Sequence, residues 1–241
     1  MVQCAGDNNR LFAVLDDSGE LAVMKTHTSE TDINIPPLKE DTRSGLLQAA
    51  LEGFATHGFG SATIRGIAAR AGLSHGMIRY HYKTKRQLWL ATVEFLFDRL
   101  RYELRYTPEE IADNEGDSLA LFRIWLRKYV HYSARHPEHA QIMVQESVAP
   151  TDRLEQVIKE HLQEGHAIVR SQIEGYIRAG MFPAGAQPES IIYIITGACQ
   201  NIFTLAPEAQ LSFGYDPLTP EAIEAHADAV VAIFCPEPEE H

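Results

Sequence analysis

Thr42 to Leu88 reads TRSGLLQAALEGFATHGFGSATIRGIAARAGLSHGMIRYHYKTKRQL, and the reading of these residues decides the fold. Leu46, Leu47, Ala50, Leu51 and Phe54 recur at three- and four-residue intervals, which places them on one face of a helix. Gly58 follows as a C′ candidate, where a left-handed backbone costs no Cβ clash. Thr63 is an N-cap candidate for a short helix from Ile64 to Arg70, with Ile67 and Ala68 facing inward. Ala71-Gly72-Leu73 makes a turn, and Ser74 caps a second short helix from His75 to about His81. Two short helices joined by a three- to four-residue turn containing glycine describe a helix-turn-helix.

The charge of this stretch agrees with that geometry. Between Asp41 and Leu88 there are seven Lys or Arg against two Asp or Glu, a net of +5, whereas the whole chain is −12 and the remainder therefore −17. A charge run alone reads first as a solvated face. Joined to the Ala-Gly-Leu-Ser turn, a basic module on an acidic chain is an electrostatic footprint for a polyanion.

The segment resembles the DNA-binding domain of the TetR family of one-component bacterial repressors. The matching residues are Thr42, Arg43, Ala49-Ala50-Leu51, Phe54-Ala55, Gly58-Phe59, Thr63, Arg65, Ile67-Ala68, Ala71 to Ser74, Gly76, Tyr80-His81, Lys85 and Leu88. Arg79 stands where the family usually has tyrosine, and Met77 where a small or hydroxyl residue is common. The resemblance implies an all-α protein: a three-helix head over residues 41–88 and a larger helical body for ligand binding and dimerisation over 89–241. With Ser74 as cap, His75, Gly76, Met77, Arg79 and Tyr80 form the part of the recognition helix that faces a groove. Arg79 could reach guanine O6 and N7, or a phosphate. Arg65 matches a family position that reaches a base or the backbone. Thr63, Tyr80, His81 and Lys85 match positions that touch phosphates, contacts that set register without reading sequence. Tyr82 reads as a core aromatic.

Residues 1–40 fall outside the resemblance. Leu11 to Leu15, Asp16 to Gly19 and Glu20 to Met24 read as two short apolar runs around a turn, followed by a polar linker to Pro36-Pro37. A lone two-stranded hairpin is marginal in water, so a flexible tail is the first reading, with a docked hairpin or an arm touching DNA as the alternatives.

Beyond the head, Thr84 caps a long helix to about Tyr106 with Leu88, Trp89, Val93, Leu96 and Leu100 on its apolar face. Pro108 to Asp117 reads as an acidic loop. Ser118 to Arg135 is amphipathic; a helix after Pro137 stops near Pro150; and a long helix runs from Thr151 to about Ala179. Ser190 to Leu205 contains no charged residue, so it must be buried in a core or against another subunit. A last helix spans Thr219 to Phe234. By resemblance, residues 188–205 and 219–235 pair with their copies in a homodimer as a four-helix bundle.

Polar-tipped or aromatic residues on these helices are candidates for the lining of a small-molecule site: Trp125, Tyr129, Tyr132, Met143, Glu146, His166, Gln172, Tyr176, Tyr193 and Asn201. Each of them also reads as ordinary core or surface, and Gln172 and Tyr176 lie one turn apart. The body histidines His131/His136 and His161/His166 are five apart, not at the four-residue spacing that suits a metal, so no metal is expected. No cofactor and no catalytic constellation is expected either. Cys4, Cys199 and Cys235 are widely separated, which argues against a disulfide framework and for a reducing cytoplasm. No run of 18 residues lacks charge and no secretory leader is evident, so neither membrane nor export is expected. The reading that follows is a ligand-responsive regulator on a DNA palindrome, most simply a repressor released by its small molecule. The alternative is a small-molecule-binding or enzymatic helical protein whose head is vestigial.

Overall fold

The computed structural model describes residues 12–15, 21–24 and 38–236. Two strands, β1 (Phe12–Leu15) and β2 (Leu21–Met24), pair antiparallel, with Phe12 opposite Met24 and Leu15 opposite Leu21. The turn between them and the linker to Pro37, and with them the choice between tail and docked extension, lie outside the described residues.

From residue 38 onward all regular structure among the described residues is helical. The head comprises α1 (Glu40–Ser61), α2 (Ile64–Arg70) and α3 (His75–His81), and α4 (Lys85–Leu104) leads into the body. The body continues through α5 (Pro108–Asp113), α6 (Ser118–Arg135), α7 (Glu138–Val148), α8 (Asp152–Val157), α9 (Gln163–Arg178), α10 (Pro188–Thr204), α11 (Ala206–Phe213) and α12 (Pro220–Phe234).

The caps expected from the sequence are in place. The Thr63 and Ser74 hydroxyls accept from the amides of Gly66 at 3.0 Å and Met77 at 3.1 Å. Thr84 and Gln87 form a reciprocal capping box at the start of α4. Gly58 interrupts α1 with φ 69°, and one further turn closes when the Ala62 amide donates to the Gly58 carbonyl at 3.1 Å.

One expectation needs correction. Pro108 to Asp113 is helix, because Thr107 and Glu110 form a capping box around a proline in the first turn. The helix expected from Thr151 to Ala179 is present as α8 and α9, joined by a π turn at Ile158–Leu162. The helix expected from Ser190 to about Leu205 ends at Thr204, and after a 69° bend a further helix, α11, follows. Pro207 has no N–H to continue the ladder, which is why the axis breaks there. Within the single chain α10 buries Ile191, Ile195, Cys199 and Phe203 on one face, while Tyr193 and Ile194 are 72% and 55% exposed.

Two apolar clusters organise the molecule. The first joins the head to the body: Leu47, Leu51, Phe54, Ile67 and Ile78 pack with Leu88, Trp89, Leu96 and Phe97 of α4, and with Ile142 of α7 and Val157 of α8. The second holds α6, α10 and α12 together through Leu126, Val130, Ile195, Cys199, Phe203, Val230 and Phe234. α9 lies against α10 and the π turn. Among the described residues no single helix is long and apolar enough to cross a membrane.

Candidate nucleic-acid interface

α3 is held by one buried residue, Ile78, whose side chain is fully covered by the head core. His75, Gly76, Met77, Arg79 and Tyr80 are all exposed around it. This is a helix fastened along one line with the rest of its surface turned outward. Gly72, with φ 65°, makes the turn that sets α3 across α2, a backbone region that favours glycine. A Cβ on Gly76 would meet nothing within the chain, so internal packing does not require glycine there. Tyr80 and His81 meet edge to face with ring centroids 5.1 Å apart, which braces the tyrosine at the end of the helix. Arg65 and Thr63 are exposed at the start of α2.

Lys85 turns its ammonium into the chain. Its ammonium donates to the carbonyl oxygens of Phe59, Gly60 and Ala62 at 2.6, 3.1 and 3.1 Å, and it sits 4.5 Å from the centre of the Phe59 ring. An ammonium has three protons, and all three are used inside the chain. Lys85 therefore closes the end of α1 and holds α1 to α4, and a phosphate could reach it only by displacing a carbonyl. Tyr82 packs at the edge of the head core as expected, and burial pushes its phenol pKa up.

A depression of about 280 Å³ between α1 and α2 is lined by His57, Ser61, Thr63, Gly66 and Arg70, with Arg70 paired to Glu52 at 3.2 Å. His57 and Ser61 were missed from the sequence. Their signal is that they stand four apart on the last turns of α1, beside the Thr63 cap.

The candidate effector residues fall in separate places. Trp125, Tyr129 and Tyr176 come together with Phe122: Trp125 is 5.0 Å from Tyr129, and Tyr176 is 5.1 Å from Phe122. Gln172 is one turn from Tyr176 on the same helix. Tyr132 is buried elsewhere, its hydroxyl 2.8 Å from His139 Nδ1. Met143 packs on the head core. Glu146 is buried and held by Arg153 at 3.1 Å. His166 is exposed, and Tyr193 and Asn201 lie on the open side of α10, away from the aromatic group. One shared pocket for all ten is not what the fold builds.

The sequence was compared with known proteins. Residues 46–92 match the family described as bacterial regulatory proteins, tetR family. The HTH-type transcriptional regulator RutR of Escherichia coli strain K12 is 24% identical over 176 residues, covering 71% of this chain and 78% of that protein. The HTH-type transcriptional repressor Rv3405c of Mycobacterium tuberculosis is 35% identical over 95 residues, 39% of this chain and 50% of that one. Among solved structures, AibR in complex with isovaleryl coenzyme A and operator DNA aligns with a TM-score of 0.63 at 15% identity, over 82% of this chain and 100% of that one. FadR from Bacillus subtilis in complex with stearoyl-CoA aligns with a TM-score of 0.56 at 17% identity, over 80% and 98%. These structural likenesses speak to the fold. Residues 46–92 of the chain are therefore a helix-turn-helix head of the tetR family of bacterial regulatory proteins.

Proposed function

We propose that this chain is an effector-responsive repressor that binds a palindromic operator as a homodimer and releases it when a small molecule enters the body. The observation that carries this reading is α3, a capped two-turn helix with His75, Gly76, Met77, Arg79 and Tyr80 all outward. Arg79 has the donor geometry for guanine O6 and N7, and the space beside Gly76 lets a duplex approach the backbone. Thr63, Arg65, Tyr80 and His81 flank it as candidates for phosphate contact. Lys85 positions the head without touching the duplex.

A two-turn helix buries little surface, so useful affinity needs two heads about 34 Å apart. The exposed side of α10 and α12 supplies the means. Tyr193 and Ile194 of α10 and Ile233 of α12 are large and exposed, and the small, exposed Ala225, Ala229 and Ala232 allow close helix approach. Such a face is costly to leave in water and suits a four-helix bundle with a second copy. The effector belongs in the body, and its release of DNA is a population shift toward the conformation whose heads no longer fit adjacent grooves.

The test is selection of bound sequences from a random DNA pool with the full chain at near-physiological salt. A palindrome with half-sites about one helical turn apart is expected. Recovery of no sequence preference from a folded dimer, repeated after denaturing and refolding to remove any co-purified effector, would overturn the proposal.

A further inference from the structure

Resting on the regulator reading above, we infer that Met77 reads a base, and that the group it reads is the C5-methyl of a thymine in each half-site of the operator. Among the described residues from 38 to 84, two large apolar side chains are exposed, Met77 at 41% and Tyr80 at 56%, and both belong to α3. Every other large apolar residue of the head is buried or partly covered. A lone exposed apolar residue is ordinary on a protein surface. Its place on α3 is what gives this one meaning.

At about 100° per residue, Gly76 and Tyr80 lie opposite the buried anchor Ile78, with His75 and Arg79 to one side of them and Met77 to the other. The exposed surface of α3 therefore has a basic edge and an apolar edge. A Cβ on Gly76 would meet nothing within the chain, so the middle of this surface is low and base edges can come up to its flanks. The Met77 amide donates to the Ser74 hydroxyl at 3.1 Å, which fixes the residue in the first turn. Helical side chains lean toward the N-terminus, and that end of a recognition helix is the one that meets bases.

The chemistry of the side chain selects its partner. A thioether has no proton to donate, so Met77 cannot hold a phosphate oxygen or make the paired hydrogen bonds that recognise a purine. The major-groove edge of the bases carries one apolar group, the thymine C5-methyl, and an apolar side chain is its complement. Methionine is unbranched and polarisable, which lets it follow that methyl along the groove floor. No Asp or Glu stands between Ile64 and Arg86, so α3 offers no carboxylate to accept from the cytosine amino group. Its two edges thus suit guanine at Arg79 and thymine at Met77.

The experiment uses the full chain and the duplex recovered by selection. Each thymine of one half-site is replaced in turn by deoxyuridine, which removes the methyl and keeps the hydrogen-bonding pattern, and affinity is read by fluorescence anisotropy. One position should lose about fourfold, the transfer of one methyl group, and about fifteenfold when both half-sites are changed. Met77→Ala and Met77→Gln should each bind the thymine and uracil duplexes equally, whereas Arg79→Ala should weaken both and keep the fourfold difference between them. Met77 is exposed, so neither of its variants disturbs the core of the head. A half-site without thymine, no response at any thymine, or a uracil penalty that survives in both Met77 variants overturns the inference and leaves the regulator reading standing. Recovery of no sequence preference overturns the regulator reading, and this inference falls with it.

Discussion

Replacing Lys85 by methionine separates two roles that the sequence could not tell apart. The stem is retained and the ammonium removed, so apolar packing changes little. Three carbonyl oxygens at the end of α1 lose their donor, at 2.6, 3.1 and 3.1 Å, and Phe59 loses the cation above its ring. A hydrogen bond to a charged group contributes roughly 1.5–3 kcal/mol, but three sharing one ammonium do not add. Gly60 is exposed, so water can reach part of the gap. The cation over the ring adds about 0.5–1 kcal/mol. Together these give a loss of about 3 kcal/mol, and for a chain of this size about 6–12 °C in Tm. The salt dependence of non-specific duplex binding should not move, because no phosphate is lost. Had Lys85 neutralised a phosphate, the slope of log K against log salt would fall by about 0.9. Differential scanning calorimetry and fluorescence anisotropy over a salt series, well below the variant's Tm, read the two quantities independently. A slope reduced by about one with an unchanged Tm would refute the structural role.

Four further outcomes follow from the same geometry. Arg79→Ala should weaken operator binding by ~1–3 kcal/mol and relax preference at one base position, read by repeating the selection; an unchanged motif would remove Arg79 as a base reader. Ile194→Asp, on the open face of α10, should leave a monomer in sedimentation velocity, and a persistent dimer would place the interface elsewhere. Arg153→Met leaves the buried Glu146 carboxylate without its cation and uncovers Phe59, 4.0 Å away, so urea unfolding should show a loss of ~3 kcal/mol. His139 gives a pH dependence with a definite sign. Burial and the nearby Arg99 lower its pKa from 6.5 to about 3. The unfolded chain takes the proton first, so this contribution is whole above about pH 6.5 and is lost as pH falls toward 3, by about 1.4 kcal/mol per unit. His139→Asn should flatten that part of the stability profile, and an unaltered slope would assign it to other groups.

The head was legible because its signals are local. The caps at Thr63, Ser74 and Thr84 and the left-handed glycines at 58 and 72 depend on residues within four positions of one another. The elements that escaped reading depend on competition between local and distant forces. Pro108 reads as a loop by its acidity until the Thr107–Glu110 box is recognised. Pro207 breaks an apolar run whose composition gives no hint of a turn. Lys85 is the instructive case: its position near a helix start suits a phosphate, yet its partners lie 23 to 26 residues upstream and appear only when α1 and α4 meet. The body candidates divide for a similar reason. Phe122 of α6 and Tyr176 of α9 meet only because the two helices come together in the fold. Tyr193 and Asn201 share the composition of a site residue but sit on the opposite side of α10.

The shared core between head and body constrains how ligand and DNA can communicate. Leu88 and Trp89 are fully buried in a cluster that includes Ile142 of α7 and Val157 of α8, so the head cannot swing freely without opening that core. Polar contacts reinforce the same junction. Gln145 donates to the Ala55 carbonyl at 2.6 Å, Arg86 pairs with Asp152 at 2.5 Å, and Arg99 bridges Gln48 of α1 at 2.9 Å and Glu138 of α7 at 2.7 Å. α8, which touches the head, runs through the π turn into α9, which packs on α10 and meets Phe122 of α6 through Tyr176. One continuous element therefore contacts the head at one end and the second apolar cluster at the other. An effector that displaced α9 against α10 would act through the π turn on α8, whose Arg153 lies over the rings of Phe59 and Trp89. Because such coupling is reciprocal, a duplex that holds the heads at fixed spacing would resist entry of an effector by the same factor by which that effector loosens the duplex.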